Sequence, residues 1–377
     1  MDLEVRRVRG RRELERFVRL PWSIYAGDPA WVPPLRREVL RTLDSRHNPF
    51  FEHGTIEPWL AHRDGEVVGR IAAIRNGNHE RVWNDGRGFF GFFESIDDAS
   101  VATALIDAAR DRCRDWGLEV LRGPVSPSTN DECGTLVDGF GTPPAVLMPH
   151  GRPYYDRLLG EAGLTGAKDL LAYWLDTPRE AAPERLRRAS RIARARNPEV
   201  SFRAFRKKDF AAELERFKAV YNRAWEKNWG FVPMTDAEID HMAASLRPVI
   251  DPGLVRIAEH GDRPVGFALA LPDLNQALRH ADGRLFPLGL AKILWHARHI
   301  DSARVMVLGV VEEYRGRGLD AVLYEELYEH GIRTGLRGAE LSWVLEDNRG
   351  IRKPIEEAMG ARPYKTYRIY EMPVGAP

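Results

Sequence analysis

The chain has 377 residues, of which 44% are hydrophobic and 29% charged, with Lys+Arg 56 against Asp+Glu 55. That length suits two domains of ordinary size, and the composition is that of a soluble globular protein. The near-zero charge balance excludes a general nucleic-acid coat, and two cysteines, Cys113 and Cys133, exclude a disulfide framework and point to a reducing compartment. No apolar run approaches the roughly 20 residues of a bilayer span. Met1 to Arg6 alternates charged and apolar residues without a signal-peptide core, so a cytoplasmic location is expected.

In chain order, the first clear element is a hairpin. Ala61-His62-Arg63-Asp64-Gly65-Glu66-Val67-Val68-Gly69 reads as strand, Asp-Gly turn, strand. The strand Phe89-Phe90-Gly91-Phe92-Phe93 follows, then Asp97 and Asp98 at a helix start, where acids satisfy the dipole and repel phosphate. After the strand beginning Gly117-Leu118-Glu119-Val120-Leu121 comes the polar run Ser126 to Gly134. Either it lines an acceptor pocket, with Asn130, Asp131 and Glu132 reading an amine or hydroxyl, or its own Ser and Asn turns hold it as a loop. No His stands in a recognisable partner motif for Cys133, so it is not read as a nucleophile.

From Thr177 to Val200 an Arg-rich helical pattern runs between prolines. It is read as a connecting helix docked through Leu186, Ala189 and Ala193, in preference to an anionic-surface or RNA contact. Tyr221 to Phe231 concentrates aromatics: Trp225 at helical spacing is read as core, Trp229 and Phe231 beside Gly230 as bordering an acceptor entrance. A second hairpin, Ala258 to Gly266, then repeats the first at an offset of 197 residues, and the same offset relates Gly163 to Gly360, Lys168 to Lys365 and Tyr173 to Tyr370. Gly117 matches Gly338 at an offset of 221, so each half carries an insertion, around 275–302 in the second and 126–152 in the first. The second insertion holds the apolar run Leu285 to Trp295. It is read first as a helix buried between domains, and second as cover for a hydrophobic tunnel or a peripheral membrane contact.

Arg304 to Val311 is a near-continuous apolar run, as for a strand buried on both faces. Leu319, Val322, Leu323 and Leu327 follow at helical spacing, with Gly331 as the expected stop, and Glu340 to Leu345 is the next strand. A strand–helix–strand unit of this length implies a parallel crossover. Between strand and helix stands Tyr314-Arg315-Gly316-Arg317-Gly318-Leu319. Glycines at a helix start let the backbone approach an anion, and free N–H groups and the helix dipole favour phosphate. Arg315 and Arg317 add positive charge.

This loop resembles the Arg/Gln-x-x-Gly-x-Gly/Ala signature of the GNAT N-acyltransferases. Arg315 and Gly318 fit its first and fourth positions, while the sixth is Asp320. The resemblance implies a mixed-sheet α/β fold of two tandem GNAT-like domains. The first, 1–178, lacks the phosphate loop; an Arg-rich linker, 179–200, leads to 201–377, which carries the acyl-CoA site. It further implies a CoA pyrophosphate held by the loop, Gly316 to Leu319 included. The pantetheine arm would lie along Leu308 and Val310, in a gap between two parting strands. The donor is then acetyl-CoA or a longer acyl-CoA, and the acceptor a small-molecule or lipid amine; neither a metal nor a nucleic acid is expected.

Thioester aminolysis needs a carboxylate to take the amine proton. Glu346, at the end of the second strand, is the first choice, with Asn348 as a positioning group; Asp347 and Asn348 read equally well as a cap for the following helix. Glu312 and Glu313 are alternatives. Where GNAT proteins often place a tyrosine, four residues before the pair filled here by Gly360-Ala361, this chain has Glu356. Tyr364 or Tyr367 is then the acid for the leaving thiolate, or packs on the last strand. Two further readings remain open: a non-catalytic acyl-CoA or lipid binder, and an aminoacyl or peptidyl transferase using a tRNA-linked donor.

Overall fold

A computed structural model describes residues 3–177, 180–225 and 229–375. The expected boundary at 178 and 179 and the side chain of Trp225 lie outside the described set. The chain begins with strand β1 (Leu3–Arg7) and helices α1 (Gly10–Arg19), α2 (Pro21–Ile24) and α3 (Arg36–Thr42). Then come β2 (Gly54–Arg63), β3 (Glu66–Asn76), α4 (Gly77–Trp83), β4 (Arg87–Ser95) and α5 (Ala99–Asp115). Short strands β5 (Val120–Gly123), β6 (Val125–Ser126), β7 (Glu132–Cys133) and β8 (Thr135–Asp138) precede α6 (Tyr155–Glu161) and β9 (Thr165–Asp176).

The second half opens with α7 (Glu184–Arg196), β10 (Val200–Ala204), α8 (Phe210–Trp225), α9 (Asp236–Leu246), β11 (Val255–His260) and β12 (Arg263–Pro272). It continues through α10 (Asn275–Leu278), α11 (Gly289–His296), β13 (Ser302–Val310) and α12 (Leu319–Thr334). It closes with β14 (Gly338–Leu345), α13 (Arg349–Glu357) and β15 (Arg362–Pro373). No helix among the described residues is long and apolar enough to cross a membrane.

Two compact units result: Met1–Leu170 with Asn275–His296 and Lys365–Pro377, and Leu171–Leu274 with Ala297–Tyr364. In the first unit the sheet runs β1-β2-β3-β4-β5 and is completed by the C-terminal strand β15, whose Tyr370 pairs with Gly123. In the second it runs β10-β11-β12-β13-β14 and is flanked by β9, Leu171 to Asp176. Each unit is thus finished by a strand from the other half of the sequence. α7, the Arg-rich segment, belongs to the second unit and packs on α12, burying Leu186, Ser190 and Ala193.

The internal repeat is visible in the sheets. In the first hairpin Asp64 and Gly65 both take positive φ, 51° and 87°, as a type I′ turn requires; in the second, Gly261 at φ 59° leads Asp262, the order of a type II′ turn. The register slips between Ala61 and His62 in β2 and between Ala258 and Glu259 in β11, the same point of the repeat. α5 covers the first sheet, with Leu105, Ile106 and Ala109 fully buried beside Ile71 and Phe90. α12 covers the second through Val322, Leu323 and Leu327.

Two expectations are corrected. α12 does not stop at Gly331, which is buried within it; it ends at Gly335, whose φ of 76° is the left-handed closure a glycine allows. The run Leu285 to Trp295 is not buried: Phe286, Leu288, Leu290, Leu294 and Trp295 are exposed.

The two units differ at the helix that follows the central strand. Asp98 caps α5, its carboxylate accepting from the N–H groups of Ser100 (2.9 Å) and Val101 (3.3 Å) and from Arg63 Nη1 (2.8 Å). Asp97 is paired with Arg157. The Arg63 bond, then Ser100, hold the Asp98 carboxyl well below the usual carboxylate range. Its folded pKa lies below the unfolded one, so its stabilisation is complete above about pH 4 and is lost as pH falls further. Asp98→Ala is therefore expected to lower stability by about 1 kcal/mol in urea unfolding at pH 7. The gap from the unsubstituted protein narrows when the measurement is repeated at acid pH; a gap that stays constant would contradict this account.

Candidate active site

In the second unit β13 and β14 run parallel, but their pairing lasts only from Ser302–Gly338 to Val305–Leu341. On the other side β13 stays paired with β12 up to Val310–Gly266, with a bulge near Met306. Beyond Val305 the described residues show no further strand pairing of β13 with β14. The N–H of Val311 bonds the carbonyl of Val265 across from β12, 3.0 Å. Alternation along an extended strand then turns the N–H and C=O of Leu308 and Val310 away from β12, into the opening. These are the residues expected to hold a pantetheine arm. Such a chain carries amides and carbonyls of its own, for which main-chain N–H and C=O groups are the complementary chemistry.

The gap leads to the loop. Gly316 (φ 72°) and Gly318 (φ 83°) are both left-handed, and Gly318 is the residue before α12, with no side chain capping the helix. A Cβ on Gly316 would meet open space, whereas one on Gly318 would stand 3.0 Å from the Ala193 Cβ of α7. Gly318 is thus needed for backbone and for packing, Gly316 for backbone alone. Asn197, just after α7, donates to the carbonyl of Arg317 (3.2 Å), so the Arg-rich segment buttresses the loop. Leu319 is buried and fixes the first turn of α12.

The two loop arginines are engaged within the fold. Arg315 donates to the carbonyls of Val310 (3.2 Å) and Ala224 (2.7 Å), tying the loop to β13 and α8. Arg317 lies over the Tyr314 ring at 4.6 Å and 3.5 Å from Glu199. An anion at this helix start would meet chiefly main-chain N–H groups and the helix dipole.

Glu346 follows β14 and is exposed; its carbonyl accepts from Arg352. The Asn348 side chain accepts from the N–H of Ile351 at 3.2 Å and caps α13, the capping reading of that residue. Tyr364 donates to Glu340, a fully buried carboxylate that also accepts from Ser342. Arg304 donates to Ser342 Oγ, 2.8 Å, and lies 3.8 Å from Glu340. This buried cluster sits at the end of the β13–β14 pairing, with Glu340 six and Ser342 four positions before Glu346. Glu346 and Tyr364 are therefore not brought together.

One group escaped the sequence. Tyr173 of β9 is fully buried and donates to Glu356 at 2.6 Å, while Arg352 donates to the Tyr173 oxygen at 2.9 Å. Burial, then the Glu356 bond, raise the Tyr173 pKa. A phenol thus touches the carboxylate that stands in for the usual tyrosine. Its only sequence signal was the repeat relation to Tyr370.

Of the acceptor candidates, Trp229 is half-buried and Phe231 buried, its ring 5.9 Å from that of Tyr221 in the second unit. Asn130, Asp131 and Glu132 belong to the first unit, the first two between β6 and β7 and Glu132 opening β7. Ser128 Oγ donates to Asp131 at 2.7 Å and accepts from the N–H of Asn130 at 3.1 Å, a self-bonded turn. Glu132 pairs with Ser126.

No protein-family model matches the chain. It is similar to a bacterial ceramide synthase of Caulobacter vibrioides, 37% identical over 98% of this chain and 97% of that one. It is also similar to protein YghO of Escherichia coli, 35% identical over 97% of this chain and 94% of that one. The chain belongs to the family of these two proteins. Among solved structures, a tandem GNAT protein from the clavulanic acid biosynthesis pathway superposes with a TM-score of 0.58 at 15% identity, all of both chains being covered. A GCN5-related N-acetyltransferase from Sphaerobacter thermophilus gives 0.53 at 16%, over 99% of this chain and 96% of that one. The family's fold here is the tandem GNAT fold, as the loop motif led one to expect.

Replacing the two glycines separates their roles. Gly316→Ala is expected to cost about 1 kcal/mol, the left-handed penalty alone; Gly318→Ala adds the collision with Ala193 and costs about 2 kcal/mol or more. Urea unfolding of both variants measures the difference. Equal costs would show that α7 yields and does not fix the loop.

Proposed function

We propose that the chain is an N-acyltransferase that moves a long acyl group from acyl-CoA to the amine of an amino-lipid in a direct ternary complex. The observation that carries this reading is the parting of β13 and β14. It turns main-chain groups of Leu308 and Val310 toward a slot that ends at the uncapped start of α12. The relative named a bacterial ceramide synthase supports the acceptor class, since a ceramide is a long-chain amino alcohol acylated on nitrogen.

In this reading the amine attacks the thioester carbonyl, a C–N bond forms and the C–S bond breaks. Main-chain N–H groups at Leu308 or Val310 stabilise the oxyanion. Glu346 takes the amine proton. The thiolate needs one proton in return, and the Tyr173–Glu356 pair holds a phenol proton whose raised pKa keeps it in place at neutral pH. Tyr364, bonded to Glu340, serves the strand junction. Asn348 orients α13. Trp229 and Phe231 border the amine's approach. The non-catalytic alternative draws on Asp320 and Glu356, two departures from the family signature.

Purified protein incubated with acyl-CoAs of graded length and with soluble or long-chain amines tests it. Free thiol release accelerated by a long-chain amino alcohol is expected, with the amide as product. Tight CoA binding with no release for any amine would leave the binder. Glu346→Gln is expected to lower kcat by roughly 100-fold or more with CoA binding unchanged. Tyr173→Phe should lower kcat by about tenfold with KM preserved; an unchanged kcat would remove either residue from the chemistry.

A further inference from the structure

The first unit exposes an apolar projection that the proposed reaction does not use. Phe286, Leu288, Leu294 and Trp295 are 60 to 72% exposed and Leu290 43%, all within ten residues. Scattered apolar residues on a surface need no explanation, but five large ones on one short segment do. Successive residues of a helix are about 100° apart, so Leu290, Leu294, Ala291 and Trp295 cover an arc of about 140° on α11, with Lys292 on its flank. Ala291 and Lys292 are exposed too.

The base of the projection is firmly held. Gly289 is buried so tightly that a Cβ would fall 1.6 Å from the Arg284 carbonyl. Gly283, at φ 69°, lies against Trp22, and its carbonyl accepts from the N–H of Arg36 at 3.1 Å. Trp22 Nε1 donates to Asp282 at 2.8 Å, and Asn275 donates to the carbonyls of Pro144 and Ala145. The His280 and His296 rings stack at 3.6 Å, joining the turn after α10 to the end of α11. A collapsed loose loop would not be fastened in this way.

Charge surrounds that base. Arg36 lies over the Trp22 ring at 4.2 Å, close enough to Arg284 and Arg19 to be repelled by both, and its Nε has no hydrogen-bond partner among the described residues. Arg279 and Lys292 add two more cations, and between Arg279 and His296 the one acid is Asp282, already bonded to Trp22. Crowded arginines below an apolar tip complement the two layers of an anionic lipid surface: phosphates outside, acyl chains within. A protein partner would need a socket shaped to a wide apolar arc; a fluid bilayer needs none.

We propose that Leu285 to Trp295 is a membrane-interface anchor, inserting its apolar arc beneath the headgroups of anionic lipids while Arg284, Arg36 and Lys292 meet their phosphates. The claim rests on exposure and charge, and holds or falls apart from the acyltransferase reading, because vesicle partition requires no turnover.

The test is co-sedimentation with vesicles of phosphatidylcholine, alone or with about 30% phosphatidylglycerol. The protein is expected to partition onto the anionic vesicles, and Leu294→Asp with Trp295→Asp to reduce partition at least about tenfold. Arg284→Glu and Lys292→Glu should each weaken it about fivefold or more on anionic vesicles. Vesicles with brominated acyl chains should quench part of the protein's fluorescence, and Trp295→Phe should remove that part. Unchanged thermal melting establishes that each variant is folded. Partition equal in wild type and in the folded double variant would overturn the proposal. So would a dimer in vesicle-free buffer that the double variant abolishes, since the patch would then be covered by a second copy.

Discussion

The second unit is organised by a hydrogen-bond ladder that stops early. Four register pairs join β13 to β14, and beyond Val305 and Leu341 the parallel pairing ends. A strand edge left unpaired inside a fold must find other partners for its N–H and C=O groups. Here part of that demand is met by Arg315, which turns back to the Val310 carbonyl. The strand continues past that point toward the start of α12, so the place where the ladder breaks fixes which main-chain groups of β13 lack a parallel neighbour.

The same sheet plan carries a different helix start in the first unit. Asp98 fills the place of an anion at α5, and Arg63 fixes Asp98. Deeper in that unit a buried carboxylate, Glu94, accepts from Tyr25 at 2.8 Å and Tyr155 at 2.6 Å and faces Arg70. Burial raises its pKa. Glu94 pairs in the sheet with Arg70, as Gly309 pairs with Phe267 in the second unit. Where one copy has Gly309 opposite Phe267, the other has a buried polar cluster.

Much of this was legible in the residues because the signals are local. The Asp-Gly and Gly-Asp turns, the apolar run of β13 and the glycines before α12 each act within a few positions, and the architecture followed from them. The end of α12 was misjudged because Gly331 and Gly335 are both glycines near the end of a helical pattern, and only packing shows that the first is buried within it. The contact of Tyr173 with Glu356 and Arg352 joins residues 183 and 179 positions apart, and no short-range pattern encodes it. The Leu285 to Trp295 run was misplaced for a related reason: hydropathy says that a segment prefers to leave water, not what it leaves water for.

The exchange of closing strands carries a consequence for how the polypeptide matures. β5, already paired with β4, lacks its second neighbour until Lys365 to Pro373 exist, and those residues are made after every other strand of the first unit. During synthesis the earlier globule must therefore wait, with a raw edge, for that later strand to be translated. Severing the chain between β9 and α7 would yield two fragments, each missing a strand the other carries.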